Sequence, residues 1–532
     1  MLYLKSWQGG KKDTSALIAV ALVCFLFLLT GCQEKKTFNG RGLALEAFDN
    51  MKTEEYALNS RLISESLEHF CKKDTDNSYA AAQTRKYYRG GGVLLWTRYE
   101  GVTEWADTVV SVLRAQLPTL GFTEKVFELS QIEADLERMR NLRYDERNSV
   151  NQVSARLDYL LTKAYLRYSV GQHFGFVNPN YVLNRYDVRD RDSTGAVLSY
   201  RQLFDLDMEH PDEAYVKWVL HRIDTDSLGL DLRTAGPSSD YYNRLKRQLP
   251  NTPTSQRRRI IVNMERCRWR LRHLPKDKEK YIVVNIPAFH LWAVDGDSVV
   301  DMRVACGALK TKTPLLHSQI THMEVNPEWV IPMSIVQADV ARHGGDSSYF
   351  ARRNYYIVEK KTGRQLSPKS VTPDMLNSGK YRVAQRGGEG NSLGRIIFRF
   401  PNNFSVFLHD TSSPGAFGRD NRGVSHGCVR VQRPFDLAAF LLGDDADEWT
   451  LDKLRITMGM KPETEQGQEY IDELDPAKPA PRLVHSLPVS PRVPLYITYY
   501  TIFQSPDGSW NSYPDVYGYD EVIGKALKTY IQ

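Results

Sequence analysis

The chain has 532 residues, 25% of them charged and 42% hydrophobic, and a formal net charge of +6. That length exceeds what one hydrophobic core supports and requires two or three domains, while so weak a positive balance makes no case for nucleic acid as a partner. Six cysteines, Cys24, Cys32, Cys71, Cys267, Cys306 and Cys428, are too widely spaced for a disulfide framework.

At the N-terminus, Lys5, Lys11 and Lys12 precede an apolar run over residues 16–29. The run has the length of a signal-peptide core and is short for a membrane span. Leu29-Thr30-Gly31-Cys32 has the form of a bacterial lipobox, which implies a signal peptide over 1–31 and lipidation of Cys32. The alternative is an uncleaved membrane anchor. Either puts the bulk of the chain outside the cytoplasm, on the periplasmic side of a cell envelope. Removal of 1–31 leaves a net charge of +4. Polar residues 32–55 are expected to tether the anchor to the first fold.

Residues 56–275 read as helical. Ile132, Leu136 and Met139 recur at helical spacing, as do Val153, Leu157, Leu160, Leu161 and Ala164. Pro211-Asp212-Glu213 opens a further helix over 214–220. The run Arg257-Arg258-Arg259, Arg266, Arg268, Arg270 and Arg272 is expected to be a solvated helix face, with contact to wall carboxylates or lipid phosphates as the sharper alternative. A Cys71–Cys267 bridge is open, though no residue pattern requires it.

From Tyr281 the pattern turns to strands. Residues 281–286, 298–304 and 394–400 are β-branched and aromatic, and turns at Asp295-Gly296-Asp297 and Pro401-Asn402-Asn403 punctuate them. Cys306, in an apolar run, reads as core. Polar residues 340–390 carry Gly344-Gly345 and Gly387-Gly388 near their two ends, the pattern of a hinged lid or of a disordered insertion. Residues 434–442 read as a helix with Pro434 at its first turn and Gly443 closing it. Residues 451–490 read as a linker, and the tyrosine-rich 491–532 as extra strands packing on the preceding domain.

Ser425-His426-Gly427-Cys428-Val429-Arg430 carries the chemistry, with His409 nineteen positions before Cys428. A free thiol of pKa about 8.5 is mostly protonated at neutral pH, and a nearby imidazole can take its proton to make the nucleophile. Gly427 lets the backbone turn and brings main-chain N–H groups towards a substrate carbonyl as an oxyanion hole. Arg430 is a cation suited to a carboxylate. A zinc site from His409, His426 and Cys428 lacks a fourth ligand at recognisable spacing, so no metal or other cofactor is expected.

His409 and the segment Ser425 to Val431 together resemble the signature of L,D-transpeptidase catalytic domains of the YkuD type. Tyr281-Ile282-Val283-Val284-Asn285-Ile286-Pro287-Ala288-Phe289, Met302-Arg303-Val304-Ala305-Cys306-Gly307, Thr313-Pro314, Asn326-Pro327-Glu328-Trp329-Val330-Ile331-Pro332 and Leu393-Gly394-Arg395 extend the resemblance over about 280–442. Asn263-Met264-Glu265-Arg266, Arg268-Trp269 and the terminal Pro514 to Asp520 are similar to the long YcbB-type branch; the small helical peptidoglycan-binding module many such enzymes carry has no recognisable copy.

The resemblance implies an α+β chain: a helical scaffold domain over 56–275, then a mostly β catalytic domain over 276–450 with a capping insertion at 340–390. It implies Cys428 as nucleophile and His409 as proton donor and acceptor, oriented by the Asp410 main-chain carbonyl. His426 and Gly427 shape the oxyanion loop, with N–H donors at Gly427 and Cys428, and Arg430 fixes the loop or a substrate carboxylate. The expected partners are peptidoglycan stem peptides, a tetrapeptide donor and an amine acceptor, with the membrane held through the lipid. The expected reaction is a 3→3 cross-link. An L,D-carboxypeptidase, attachment of a lipoprotein to the wall, a non-catalytic wall-binding lipoprotein and a generic cysteine peptidase are the alternatives; the last lacks papain-like residues around the cysteine.

Overall fold

A computed structural model describes residues 54–98, 101–273, 279–443, 446–475 and 481–531. The signal segment 1–31, Cys32 and all but the last residues of the tether lie outside them. Among the described residues no helix is long and apolar enough to cross a membrane. A helical N-terminal region precedes a β-rich one, as the hydrophobic periodicity predicts.

Two compact units are present. The first gathers the described residues up to Ser111, then Glu128–Tyr165 and Ile223–Leu228. Its helices include Ser60–Lys73, capped by the Asn59 side chain, Tyr79–Arg89, capped by Ser78, and Leu129–Arg140. Val153, Leu157, Leu161 and Ile132 are fully buried, so the apolar spacing is indeed a core stripe. At its centre the buried Asp158 carboxylate accepts from the backbone N–H groups of Leu95, Trp96 and Thr97 and from the Thr97 and Tyr88 hydroxyls.

The second unit comprises Val112–Phe127, Leu166–Arg222 and Gly229–Gln532. Helix Glu213–His221 starts at the predicted place, with the Asp212 side chain accepting from Tyr215 N. The arginine-rich segment, which includes helix Thr254–Arg268, is solvated only in part: Arg257, Arg270 and Arg272 are exposed, as its charge predicts, whereas Arg266 and Arg268 are buried. Arg266 is 3% exposed and pairs with Asp520 at 2.6 Å. Arg268 is fully buried, donating to Glu265, Gln172 and the Tyr242 hydroxyl at 3.0–3.2 Å, with the rings of Phe122 and Phe176 beside it. Arg258 pairs with Glu521 and Arg259 donates to the Tyr513 carbonyl. These cations face partners inside the same unit, where Asp520 and Glu521, distant in sequence, and Glu265, three residues before Arg268, neutralise them.

The sheet of this unit is built from β1 (Phe204–Asp205), β2 (Tyr281–Asn285), β3 (His290–Asp295), β4 (Ser298–Gly307), β5 (Leu315–Val325), β6 (Ile396–Arg399), β7 (Leu408–His409), β8 (Gly423–Ser425), β9 (Val429–Val431) and β10 (Ser486–Thr498). Its order is β6-β7-β9-β4-β3-β2-β10-β5-β1, with β8 on β4 and a further β5–β6 pairing that closes the sheet on itself. Closure leaves few free edges. The long strand β10 is a stave of this barrel, parallel to β2 and antiparallel to β5, rather than an addition to its outside.

Two expectations are corrected. Residues 451–490 are not a bare linker: helices Glu448–Thr457 and Glu465–Asp472 flank a buried Asp452, which binds Arg455, Glu463 N and both the N–H and hydroxyl of Thr464. The insertion between β5 and β6 is a folded body with its own four-stranded sheet and a core of Ile357, Val383, Leu376, Phe350 and Val340. Gly344 is not a hinge of that insertion but part of its interior, since an added Cβ would lie 2.5 Å from Pro373 N. Gly387 is at its neck, pressed against the Asn326 carbonyl.

Candidate active site

Strands β7 and β9 run parallel, with His409 opposite Arg430 and Val429 N donating to the Phe407 carbonyl at 3.0 Å. Residues directly opposite in a sheet share a face, and side chains two apart along a strand share it too. His409 and Arg430 therefore occupy one face, with Cys428 at the entry to β9, two positions before Arg430. Among the described residues no hydrogen bond joins the Cys428 Sγ to the His409 ring.

The His409 ring is 4% exposed, and its Nδ1 donates to the Asp410 carbonyl, which leaves Nε2 as the basic nitrogen of the neutral ring. Burial, then the Arg430 charge, lowers its pKa from the ordinary value to about 4, against the opposing pull of the Asp410 and Leu393 carbonyls. Burial also raises the Cys428 thiol above its ordinary value, and Arg430 partly offsets this. The resting pair is thus neutral thiol and neutral imidazole, because neither charged form is solvated. Arg430 is half-buried, its own pKa lowered by burial, and its Nε lacks a hydrogen-bond partner.

Local sequence explains the loop carrying the thiol. Gly427 has φ +120°, a conformation side chains resist. Its N–H donates to the Ser425 Oγ at 3.1 Å, and that hydroxyl in turn donates to the Cys428 carbonyl. The expectation that Gly427 supplies an oxyanion donor therefore fails: its N–H is engaged within the loop, and the candidate main-chain donor at the nucleophile is that of Cys428. His426 is exposed and lines the adjoining cleft together with Gly427.

Three residues outside the motif hold this loop, and sequence reading gave them no role. The Thr313 Oγ1 accepts from Gly307 N and donates to the Gly427 carbonyl, both at 2.8 Å. The Thr311 hydroxyl donates to the Ser425 carbonyl at 2.7 Å. The Tyr517 hydroxyl accepts from Thr313 N and donates to the Gly307 carbonyl at 2.6 Å. The prior signals were Thr313-Pro314 in the strand-and-turn segment and Tyr517 within the terminal segment Pro514 to Asp520.

Leu393-Gly394-Arg395 wraps the other side of the site. A Cβ on Gly394 would lie 2.4 Å from the Asp410 carboxylate, and that carboxylate accepts from Arg395 N and Thr411 N. The Asp410 side chain thus fixes the backbone whose carbonyl holds the His409 ring. All four described cysteines, Cys71, Cys267, Cys306 and Cys428, are free thiols; burial pushes Cys306 up to about 12, which suits core rather than chemistry. Among the described residues no group of three or more His, Cys, Asp or Glu side chains is arranged to hold a metal ion.

Comparison with known proteins identifies the domains along the chain. Residues 279–456 match the L,D-transpeptidase catalytic domain family, YkuD, and residues 82–249 match the scaffold domain family. A Haemophilus influenzae protein named "Putative L,D-transpeptidase" is 28% identical over 334 residues, 61% of this chain and 63% of that protein, so the chain spans under two thirds of that relative's length. A solved L,D-transpeptidase from Mycobacterium smegmatis is 14% identical, covering 41% of this chain and 58% of its own at a TM-score of 0.18, too low to carry a structural comparison. The chain thus carries a scaffold domain followed by an L,D-transpeptidase catalytic domain of the YkuD type, the YcbB-type architecture.

Proposed function

We propose that this chain is a peptidoglycan L,D-transpeptidase that forms 3→3 cross-links through a Cys428 thioester. The observation that supports the reading is that Cys428 immediately precedes the strand Val429–Val431, whose Arg430 lies opposite His409 on the adjacent parallel strand. The Cys428 Sγ attacks the carbonyl of the third stem residue as Nε2 of His409 takes the thiol proton. The Cys428 N–H stabilises the oxyanion. The tetrahedral intermediate collapses, its C–N bond breaks, and the imidazolium protonates the departing D-Ala amine. The amine of a second stem then attacks the thioester, His409 again carries the proton, and the thiol returns.

The low pKa of His409 means that the ring is neutral and able to accept a proton in the free enzyme, and that once protonated it readily gives the proton to the leaving amine. The test is incubation with disaccharide-tetrapeptides and mass spectrometry of the products. Dimers with loss of D-Ala are expected, with no turnover and no covalent carbapenem adduct after Cys428→Ala. Tripeptides alone would replace this reading by a carboxypeptidase, and an adduct surviving Cys428→Ala would remove Cys428 from the mechanism.

The reading includes an envelope location with the chain anchored by lipid at Cys32. It is supported by the lysines, apolar run and Gly31-Cys32 of the N-terminus. Metabolic labelling with an alkyne fatty acid is expected to mark the wild-type chain and to be lost in Cys32→Ser.

A further inference from the structure

The cleft adjoining the nucleophile loop has a volume of about 910 Å³, within the range that holds sizeable ligands. His426 and Gly427 form one stretch of its lining, Phe404 and Val406 an apolar stretch. Another stretch comes from a short hairpin, Val188–Arg191 and Val197–Tyr200, and the residue after it. This hairpin contributes Arg189, Tyr200 and Arg201.

The charge of the lining is one-sided. Its cations are Arg189, Arg201 and Lys312, and its one acidic residue, Asp339, is held by Arg342 at 2.7 Å. Lys312 is itself neutralised by Asp187 at 3.1 Å. Arg189 is 68% exposed and its ion pair is a loose one with its sequence neighbour Asp190, at 3.6 Å. Among the described residues no carboxylate pairs with Arg201. Two guanidinium groups thus face a cleft without strong internal counter-ions.

The hairpin is also fixed relative to the thiol. Arg201 N donates to the Asp187 carbonyl, the Arg201 guanidinium donates to the Lys310 carbonyl, and Asp187 binds Lys312. Lys310 and Lys312 belong to the turn whose Thr311 and Thr313 hydroxyls hold Ser425 and Gly427. One turn therefore connects the arginine wall to the nucleophile loop, which sets a constant spacing between a carboxylate held by the arginines and a carbonyl presented to Cys428.

We propose that Arg189 and Arg201 form a carboxylate-binding subsite that orients an acidic stem peptide in this cleft, with the reacting bond at the His426–Gly427 end. The subsite rests on the transpeptidase reading for the identity of the peptide. Guanidinium groups suit the task because they pair with carboxylates in a planar two-pronged geometry and remain charged at any working pH. Both are positioning residues; neither touches the reacting atoms.

The test measures binding of a disaccharide-tetrapeptide to Cys428→Ala protein, with its carboxylates free and with them amidated, before and after Arg189→Gln and Arg201→Gln. Each substitution is expected to weaken binding of the free-acid peptide about fivefold, the scale of an exposed ion pair, and to leave the amidated peptide unaffected. Equal binding of acid and amide by the parent protein, or discrimination that survives both substitutions, would overturn the proposal. A misfolded variant is recognised by loss of binding to both peptides; Arg189→Lys and Arg201→Lys, which keep the charge, then read the subsite through recovery of acid preference. Because binding is measured without turnover, failure of the transpeptidase reading shows separately, as absence of product from the Cys428 enzyme. In that enzyme, slower D-Ala release assigns the subsite to the donor stem, and fewer dimers per thioester at unchanged release assigns it to the acceptor.

Discussion

Arg430 acts on both members of the Cys428–His409 pair, and in opposite directions. It disfavours the imidazolium and favours the thiolate, so its two effects oppose each other in the transfer of the proton from Cys428 to His409, while it keeps the resting base neutral. The sign fixes a pH dependence. A His409 pKa lowered to about 4 means that the base is lost only as pH falls through about 4, rather than through its ordinary value of about 6.5. The acid limb of kcat/KM is expected near pH 4, and Arg430→Gln is expected to move it upward. The same substitution removes a charge that lowers the Cys428 pKa, so alkylation of Cys428 by iodoacetamide should slow at fixed pH. A downward shift of the acid limb, or faster alkylation, would contradict the electrostatic account. The candidates for chemistry were legible at this scale because thiol catalysis demands particular residue types close together. The engagement of the Gly427 N–H was not, since it depends on where the Ser425 hydroxyl points.

At the scale of elements, the turn from Gly307 to Thr313 carries the nucleophile loop. Its hydrogen bonds bridge β4, the loop and the C-terminal segment through Tyr517. Tyr517→Phe leaves the buried Thr313 N–H and Gly307 carbonyl without this partner, which costs about 1–3 kcal/mol. Urea unfolding should read that loss, and kcat should fall as the loop loosens while Cys428 remains reactive towards iodoacetamide. Gly394→Ala forces a Cβ against the Asp410 carboxylate at φ +67°, and is expected to reduce both stability and activity by displacing the carbonyl that holds His409. The capping insertion has a core of its own, so Ile357→Ala, at a fully buried site, should cost about 2–5 kcal/mol, read as early proteolysis of the insertion. The polar surface of residues 340–390 concealed this core, because its apolar residues are scattered among short elements that pair across the insertion rather than along it.

Across the second unit, buried charge is matched over long sequence separations. Arg266 meets Asp520, whose carboxylate also accepts from the Thr501 hydroxyl; the Asn263 side chain donates to the Thr501 hydroxyl and accepts from the Thr501 main-chain N–H. The C-terminal segment is thereby tied to the helix that precedes the barrel, and β10 completes the barrel wall between β2 and β5. Asp520→Ala leaves a buried guanidinium unpaired and is expected to cost about 3–5 kcal/mol, measured as a fall in the urea midpoint. Replacing Arg266 and Asp520 together by apolar residues should restore part of that loss, since the unpaired charge is then gone.

Sequence alone determined the order of helical and β-rich regions, the start of helix Glu213–His221, the strands around residues 281–304 and the pairing of Cys428 with His409 as candidates for chemistry. These are local properties: periodicity, capping and residue type act within a few positions. Only the tertiary structure decided that Arg266 and Arg268 of the arginine-rich helix are buried, that residues 486–498 are a barrel stave, that Gly344 belongs to a packed interior and that Tyr517 holds the turn beneath the Cys428 loop. Each of those depends on a partner far along the chain, and burial, charge pairing and strand closure select such partners only when the whole fold brings them together.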